Sequence, residues 1–190
     1  MIISSPADPS EVGSIFTGDA VLGHGTAVFE NLGLYMRSLG KMRGWVEKVA
    51  VSESGSKGEN GKVTAFPAHG AVIQDAKGKI EEYISHRAMR EREVLEVLTG
   101  NSAGDQDQVE KVKNENNGWT LMQIVKIVYK DVPESLHIAA QGGVVQVLAK
   151  LEGEGRVEKM KDGRRWRIVR GARQGAMEDE GMGGKEKSAL

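Results

Sequence analysis

No cysteine occurs anywhere in this 190-residue chain. That removes disulfides, thiolate metal sites and cysteine nucleophiles together. A secreted scaffold of this size often carries bridges, so the expectation is an intracellular, cytoplasmic protein. A dominant charge is lacking too. The formal net charge of -1 gives no whole-molecule pull toward nucleic acid or anionic membrane, and any electrostatic role has to come from local patches. Long apolar runs are absent: no stretch approaches the roughly 18 residues that a membrane-spanning helix needs. The opening MIISSPADPSEVGSIF has no basic start and is interrupted by Pro6 and Pro9, unlike an export signal.

What is present describes an ordinary globular chain. Apolar residues make up 39% and charged residues 28%, and the length suits one domain, or one small domain with part of another. The 25 glycines gather in turns and in two loose segments.

Residues 1–13 are polar and expected to lack fixed structure. Ser14–Thr17 reads as the tail of a strand. Val28, Leu32, Tyr35, Met36, Leu39 and Met42 then recur at helical spacing between Val28 and Val46, with Thr26 a candidate cap. Ser52–Lys62 reads as a polar loop and VTAFPAHGAVI as a short β-prone run broken by a turn. A long helix follows from about Asp75 to Leu98, burying Ile80, Tyr83, Ile84, Val94, Leu95 and Leu98, with HRAMRERE as its charged face.

Beyond a polar linker, Thr99–Gly118, the sequence TLMQ is a capping box: Thr120 caps and Gln123 stands at N3. Leu121, Ile124, Val125 and Val128 make that helix's apolar face, and Pro133 ends it. A second helix from about Glu134 to Leu151 is expected to carry Ile138, Val144, Val145, Leu148 and Leu151 inward. RVEKMKDGRRWRIV then reads as two strands joined by an Asp-Gly turn. Helix, turn, helix and β-hairpin is the winged-helix order. A Gly- and Glu-rich tail follows Arg170.

Two residues could serve a metal. Asp19 stands where a strand ends in a glycine-bounded turn, and His69 has the same setting before Gly70. A carboxylate and an imidazole suit zinc, manganese or iron. Each also has a plain structural reading, as an Asx turn and a surface loop histidine. His24 is a pocket residue or a turn residue, His86 belongs to a solvated charged face, and His137 opens a helix without an evident partner. Seven cations between Arg156 and Arg170 face only Glu158 and Asp162. With Trp166 among them they could touch phosphate, or be solvated around a tryptophan that packs the hairpin.

Together FTGDAVLGHGTAVFENLGLYMRSLGKM, FPAHGAVI, KIEEYISHRAMREREVLEVL and LMQIVKIVYKDVPESLHIAAQGGVVQVLAKLEGEGRVEK resemble the lactamase-like proteins of the metallo-β-lactamase superfamily. The similarity is to fungal members that work beside polyketide synthases and, more distantly, to an animal mitochondrial endoribonuclease. It implies an α/β (α+β) fold: the C-terminal half of an αββα sandwich, then a winged-helix-like unit. The implied division is 1–98 partial lactamase-like domain, 99–118 linker, 119–170 winged-helix-like domain and 171–190 disordered tail.

The resemblance also implies two zinc ions, with Asp19 at the position of the bridging aspartate and His69 at that of the last histidine ligand. The implied reaction is hydrolysis by a zinc-bound hydroxide. For the fungal relatives the substrate would be a polyketide thioester on an acyl carrier protein. For the animal relative it would be RNA, with Arg164, Arg165 and Arg167 as candidate contacts here. No membrane partner is implied. The chain departs from the family in lacking the His-x-His-x-Asp-His motif, which four histidines in all cannot supply. The first half of the sandwich is therefore expected to be missing, leaving an inactive remnant or a non-catalytic binding module as the alternatives. Pro-Ala-His-Gly replaces the usual Pro-Gly-His-Gly.

Overall fold

The computed structural model describes residues 13–51, 62–101 and 118–169. The expected loose start, the body of the Ser52–Lys62 loop, most of the Thr99–Gly118 linker and the tail beyond Val169 lie outside the described residues. No helix among the described residues is long and apolar enough to cross a membrane.

Strand β1 (Ile15–Gly18) alternates buried Ile15 and Thr17 with exposed Phe16 and Gly18, the period of a half-covered strand. It pairs in parallel with β2 (Ala65–Pro67), Ile15 opposite Ala65 and Phe16 opposite Phe66. Parallel partners need a long crossover, and helix α1 (Leu32–Val51) supplies it. The Phe16 and Phe66 rings lie 5.5 Å apart on the sheet.

Helix α1 starts later than the apolar spacing suggested. Asn31 caps it, its Oδ1 accepting the Leu34 amide at 2.9 Å. Val28 is thereby left in the preceding loop at 92% exposure, and Thr26 caps nothing. Leu32, Tyr35, Leu39 and Val46 form the buried face.

Helix α2 (Ala76–Thr99) is closed chemically at both ends. The Asp75 carboxylate accepts the Gly78 amide at 2.9 Å and also binds Lys62. At the other end Gly100 adopts φ 69°. Its amide reaches Val97 and that of Asn101 reaches Glu96, a Schellman closure that needs the left-handed glycine. What the sequence suggested as the start of a linker is thus a helix stop.

The C-terminal unit opens with β3 (Trp119–Thr120), followed by α3 (Leu121–Val128), a 3-10 turn (Glu134–Leu136), α4 (His137–Gly153), β4 (Val157–Lys159) and β5 (Arg165–Ile168). The capping box is present: Thr120 Oγ1 accepts the Gln123 amide, and Gln123 Oε1 accepts the Thr120 amide at 2.9 Å. Strands β4 and β5 form the expected hairpin. At its tip the Asp162 carboxylate accepts the Arg164 and Arg165 amides at 2.9 and 3.1 Å, which holds its carboxyl below the usual carboxylate range. Strand β3 adds a third strand on β5 with Trp119 opposite Trp166, an element that the sequence reading missed.

The phase of α4 differs from expectation. Val144, Val147, Leu148 and Leu151 are buried, whereas Ile138 is 75% and Val145 44% exposed. His137 sets the phase by turning inward, so that the buried line runs from 137 through 144, 148 and 151. Residues 138 and 145 consequently fall on the far side. Helix α2 packs against α1 on one side and against α3 and α4 on another, joining all the elements around one apolar core.

Candidate functional site

In parallel neighbouring strands the residues just past the two C-terminal ends stand side by side. Asp19 follows β1 and His69 follows β2, so the pairing alone brings them together: His69 Nε2 lies 3.5 Å from Asp19 Oδ1. Both side chains are open to solvent, 73% exposed for Asp19 and 76% for His69. The C-terminal rim of parallel strands is a usual place for ligand chemistry.

The two loops that carry these residues are fused through their backbones. Ala68 donates to the Gly18 carbonyl and Gly23 to that of His69, each at 3.0 Å. A Cβ at Gly23 would stand 2.0 Å from the Ala71 oxygen, and one at Gly70 would stand 2.4 Å from the His24 amide nitrogen. Only glycine permits that approach. This explains GHG and AHG better than a ligand role for His24 does.

A second set of contacts anchors the loop from Ala20 to Ala27. Thr17 Oγ1 donates to the Val21 carbonyl at 2.8 Å and the Tyr35 hydroxyl to that of Ala20 at 2.7 Å. The Tyr83 hydroxyl accepts the Leu22 amide and donates to Gly25, both at 3.3 Å. Arg87 reaches the Ala27 carbonyl at 3.5 Å. Its guanidinium covers the Phe29 ring at 4.8 Å, and that ring stacks on Tyr35 at 4.5 Å. Burial, opposed in part by Arg87, pushes the Tyr35 hydroxyl up to about 12, so it remains a donor throughout the neutral range.

Sequence reasoning placed Tyr83 in the buried stripe without this role, and it missed Arg87 because HRAMRERE looked uniformly solvated. Helical spacing held the signal: Ile80, Tyr83, Arg87 and Val94 share one stripe, and Arg87 is its polar member. His86, on the outer side, is pushed below the ordinary imidazole range, first by burial and then by Arg87 and Arg90. His137 is buried, with Nε2 3.1 Å from the Tyr129 carbonyl and 3.0 Å from that of Val132. It therefore has partners after all, and it fastens the turn between α3 and α4.

Three of the wing's cations have acidic partners within the fold. Arg167 Nε lies 2.7 Å from Glu158 and Arg165 Nε 3.6 Å from Asp162. Arg156 bonds Glu91 at 2.8 Å, and Lys159 lies over the Trp166 ring at 5.5 Å. Glu158 and Asp162 are already set against these cations in the sequence, so of these acids Glu91 is the one that the fold adds, and the local excess falls by a single charge.

Among the described residues no group of three or more histidine, cysteine, aspartate or glutamate side chains could hold a metal ion. Asp19 and His69 fit a divalent ion as hard and borderline donors. They are two where a catalytic zinc takes three protein ligands and an open position, so the pair suits a share of a site and not the whole of one.

Comparison with known proteins gives this arrangement its context. Residues 120–166 match the family model "Beta-lactamase associated winged helix domain". The chain is 38% identical over 149 residues to the Beta-lactamase-like protein 2 homolog of Drosophila melanogaster, covering 78% of this chain and 41% of that protein. It is 40% identical over 148 residues to the lactamase-like protein nscB of Arthroderma otae, covering 77% and 38% respectively. It therefore spans about two fifths of the length of the curated relatives it matches. Among solved structures, a Beta-lactamase domain protein from Burkholderia ambifaria superposes with a TM-score of 0.52 at 20% identity, covering 82% of this chain and 42% of that one. A metallo-beta-lactamase family protein from Thermus thermophilus gives 0.50 at 19%, covering 84% and 43%. These likenesses bear on the fold alone.

Proposed function

From the premise that this chain is a homologue of the lactamase-like proteins and carries a beta-lactamase-associated winged helix domain, we propose that it is the metal-bridging and winged-helix portion of a metal-dependent hydrolase. Asp19 and His69 are its contribution to a two-zinc site whose other donors come from sequence outside these residues. The observation that supports this best is the meeting of the two side chains at 3.5 Å across β1 and β2, at the positions where the family resemblance puts two ligands.

Bound there, a divalent ion would supply Lewis-acid polarisation and an acidified water. The chain's own residues have distinct tasks. Asp19 supplies a carboxylate able to bridge, and His69 an imidazole nitrogen. The fused glycine turns hold both in register, while Tyr35, Tyr83 and Arg87 keep the Ala20–Ala27 loop from swinging across the rim. For the substrate we favour an acyl thioester presented by a carrier protein. Support comes from the fungal resemblance, with 40% identity over 148 residues to the Arthroderma otae protein.

The test is reconstitution. The chain would be co-expressed with the part of the Arthroderma otae relative that it does not match, loaded with zinc and assayed on an acyl thioester. Hydrolysis that requires both parts, and falls at least a hundredfold with Asp19→Asn or His69→Ala, supports the reading. Hydrolysis unchanged by those substitutions refutes it.

A further inference from the structure

We propose that the cleft lined by Arg87 and Arg90 is a binding site for the carboxylate head of a small apolar acid. The cleft lies where the start of α1 meets α2, α3 and α4. Leu32, Val94, Val128, Val144 and Val147 wall it, with Tyr129 and Gly143 on one side. It has about 30 Å³ of free interior volume, room for two or three waters at roughly 10–15 Å³ each.

Charge identifies the occupant. Arg90 is already matched, its Nη1 lying 2.8 Å from Glu93 while its guanidinium covers the Tyr129 ring at 4.7 Å. Arg87 has no carboxylate partner among the described residues. Its neighbours are neutral: the Ala27 carbonyl at 3.5 Å, the Phe29 face at 4.8 Å and the Tyr35 ring at 6.0 Å. Its Nε is buried with no acceptor among the described residues. A partly buried cation without a counter-charge is costly, and an anion in the cleft would meet the terminal Nη atoms of Arg87, because its Nε is sealed from solvent.

Arg87, Arg90 and Glu93 together leave one positive charge, which calls for a monovalent anion. A guanidinium pairs with a planar carboxylate through two parallel bonds. The small interior and the valine walls favour that head on a short apolar stem over a dianionic phosphate. Gly143 and Tyr129 both line the cleft, and a Cβ at Gly143 would stand in contact with the Tyr129 hydroxyl at 3.4 Å, taking up space between them. The inference does not rest on the metal ligands, because it uses neither Asp19 nor His69, although Arg87 also holds the Ala20–Ala27 loop.

The experiment measures binding of butyrate, butyramide and inorganic phosphate to the full chain in EDTA at matched ionic strength, by thermal shift and by NMR titration. Saturable binding of butyrate alone is expected. Arg87→Met should weaken it at least tenfold. Gly143→Ala, which keeps both arginines and removes a helix-weakening glycine, should weaken it at least threefold. No butyrate binding, equal binding of butyramide or phosphate, or undiminished binding to either variant overturns the proposal. If Arg87→Met does not fold, Gly143→Ala decides alone. With metal excluded, failure here leaves the Asp19–His69 reading standing, and failed reconstitution leaves this site standing.

Discussion

Glu91 of α2 bonds Lys150 of α4 at 2.7 Å, and both side chains are only 16% exposed. Arg156 shares the carboxylate at 2.8 Å, and Lys150 also holds Glu154 at 2.7 Å. Burial alone would lower the Lys150 ammonium, but its bonds to Glu154 and Glu91 outweigh that and leave it raised. The network fastens the long central helix to the winged-helix unit.

Glu91→Gln therefore leaves Lys150 and Arg156 facing a neutral amide, with Glu154 as their remaining carboxylate. The expected loss is about 2 kcal/mol in urea unfolding, short of the roughly 3–5 of a fully buried broken pair because Arg156 is partly exposed. A loss below about 0.5 kcal/mol, the range of ordinary surface changes, would show that the network does not join the units.

Acid should weaken the protein partly through Asp75. Its bond to Lys62, then the Gly78 amide, holds the carboxyl below 3.8. A depressed folded value means that the contribution is complete above the unfolded value and is lost as pH falls through the folded one. Asp75→Asn keeps an acceptor for the cap but removes that titration. Its stability should fall less steeply than that of the native chain below about pH 4, near the ordinary aspartate value. Parallel acid limbs in the two proteins would contradict this.

The outward placement of Ile138 can be checked directly against the buried Leu148 on the same helix. Ile138→Gln should change stability by no more than about 0.5 kcal/mol. Leu148→Ala should cost about 2–5 kcal/mol, as buried leucines do. Similar losses at both positions would restore the phase read from the sequence.

That contrast shows where the sequence was informative. Features written in adjacent residues could be read: the Thr120–Gln123 capping box, the Asp-Gly hairpin and the long stripe of α2. The paired position of Asp19 and His69 was reachable only through family resemblance, because nothing local says that β1 and β2 are neighbours. Other features depend on tertiary context. Ile138 and Val145 fit an apolar period equally well until His137 is seen to turn inward, and Arg87 looks like a solvated cation until Phe29 lies beneath it. Trp119 joins a sheet only because Trp166 returns to it across the hairpin.

The most direct measurement is a zinc titration of the chain followed by the NMR signals of its four histidine rings. The account predicts that the His69 ring responds first and that Asp19→Asn weakens the response at least tenfold. A first response at His24 or His86, or a His69 response indifferent to Asp19→Asn, would contradict it.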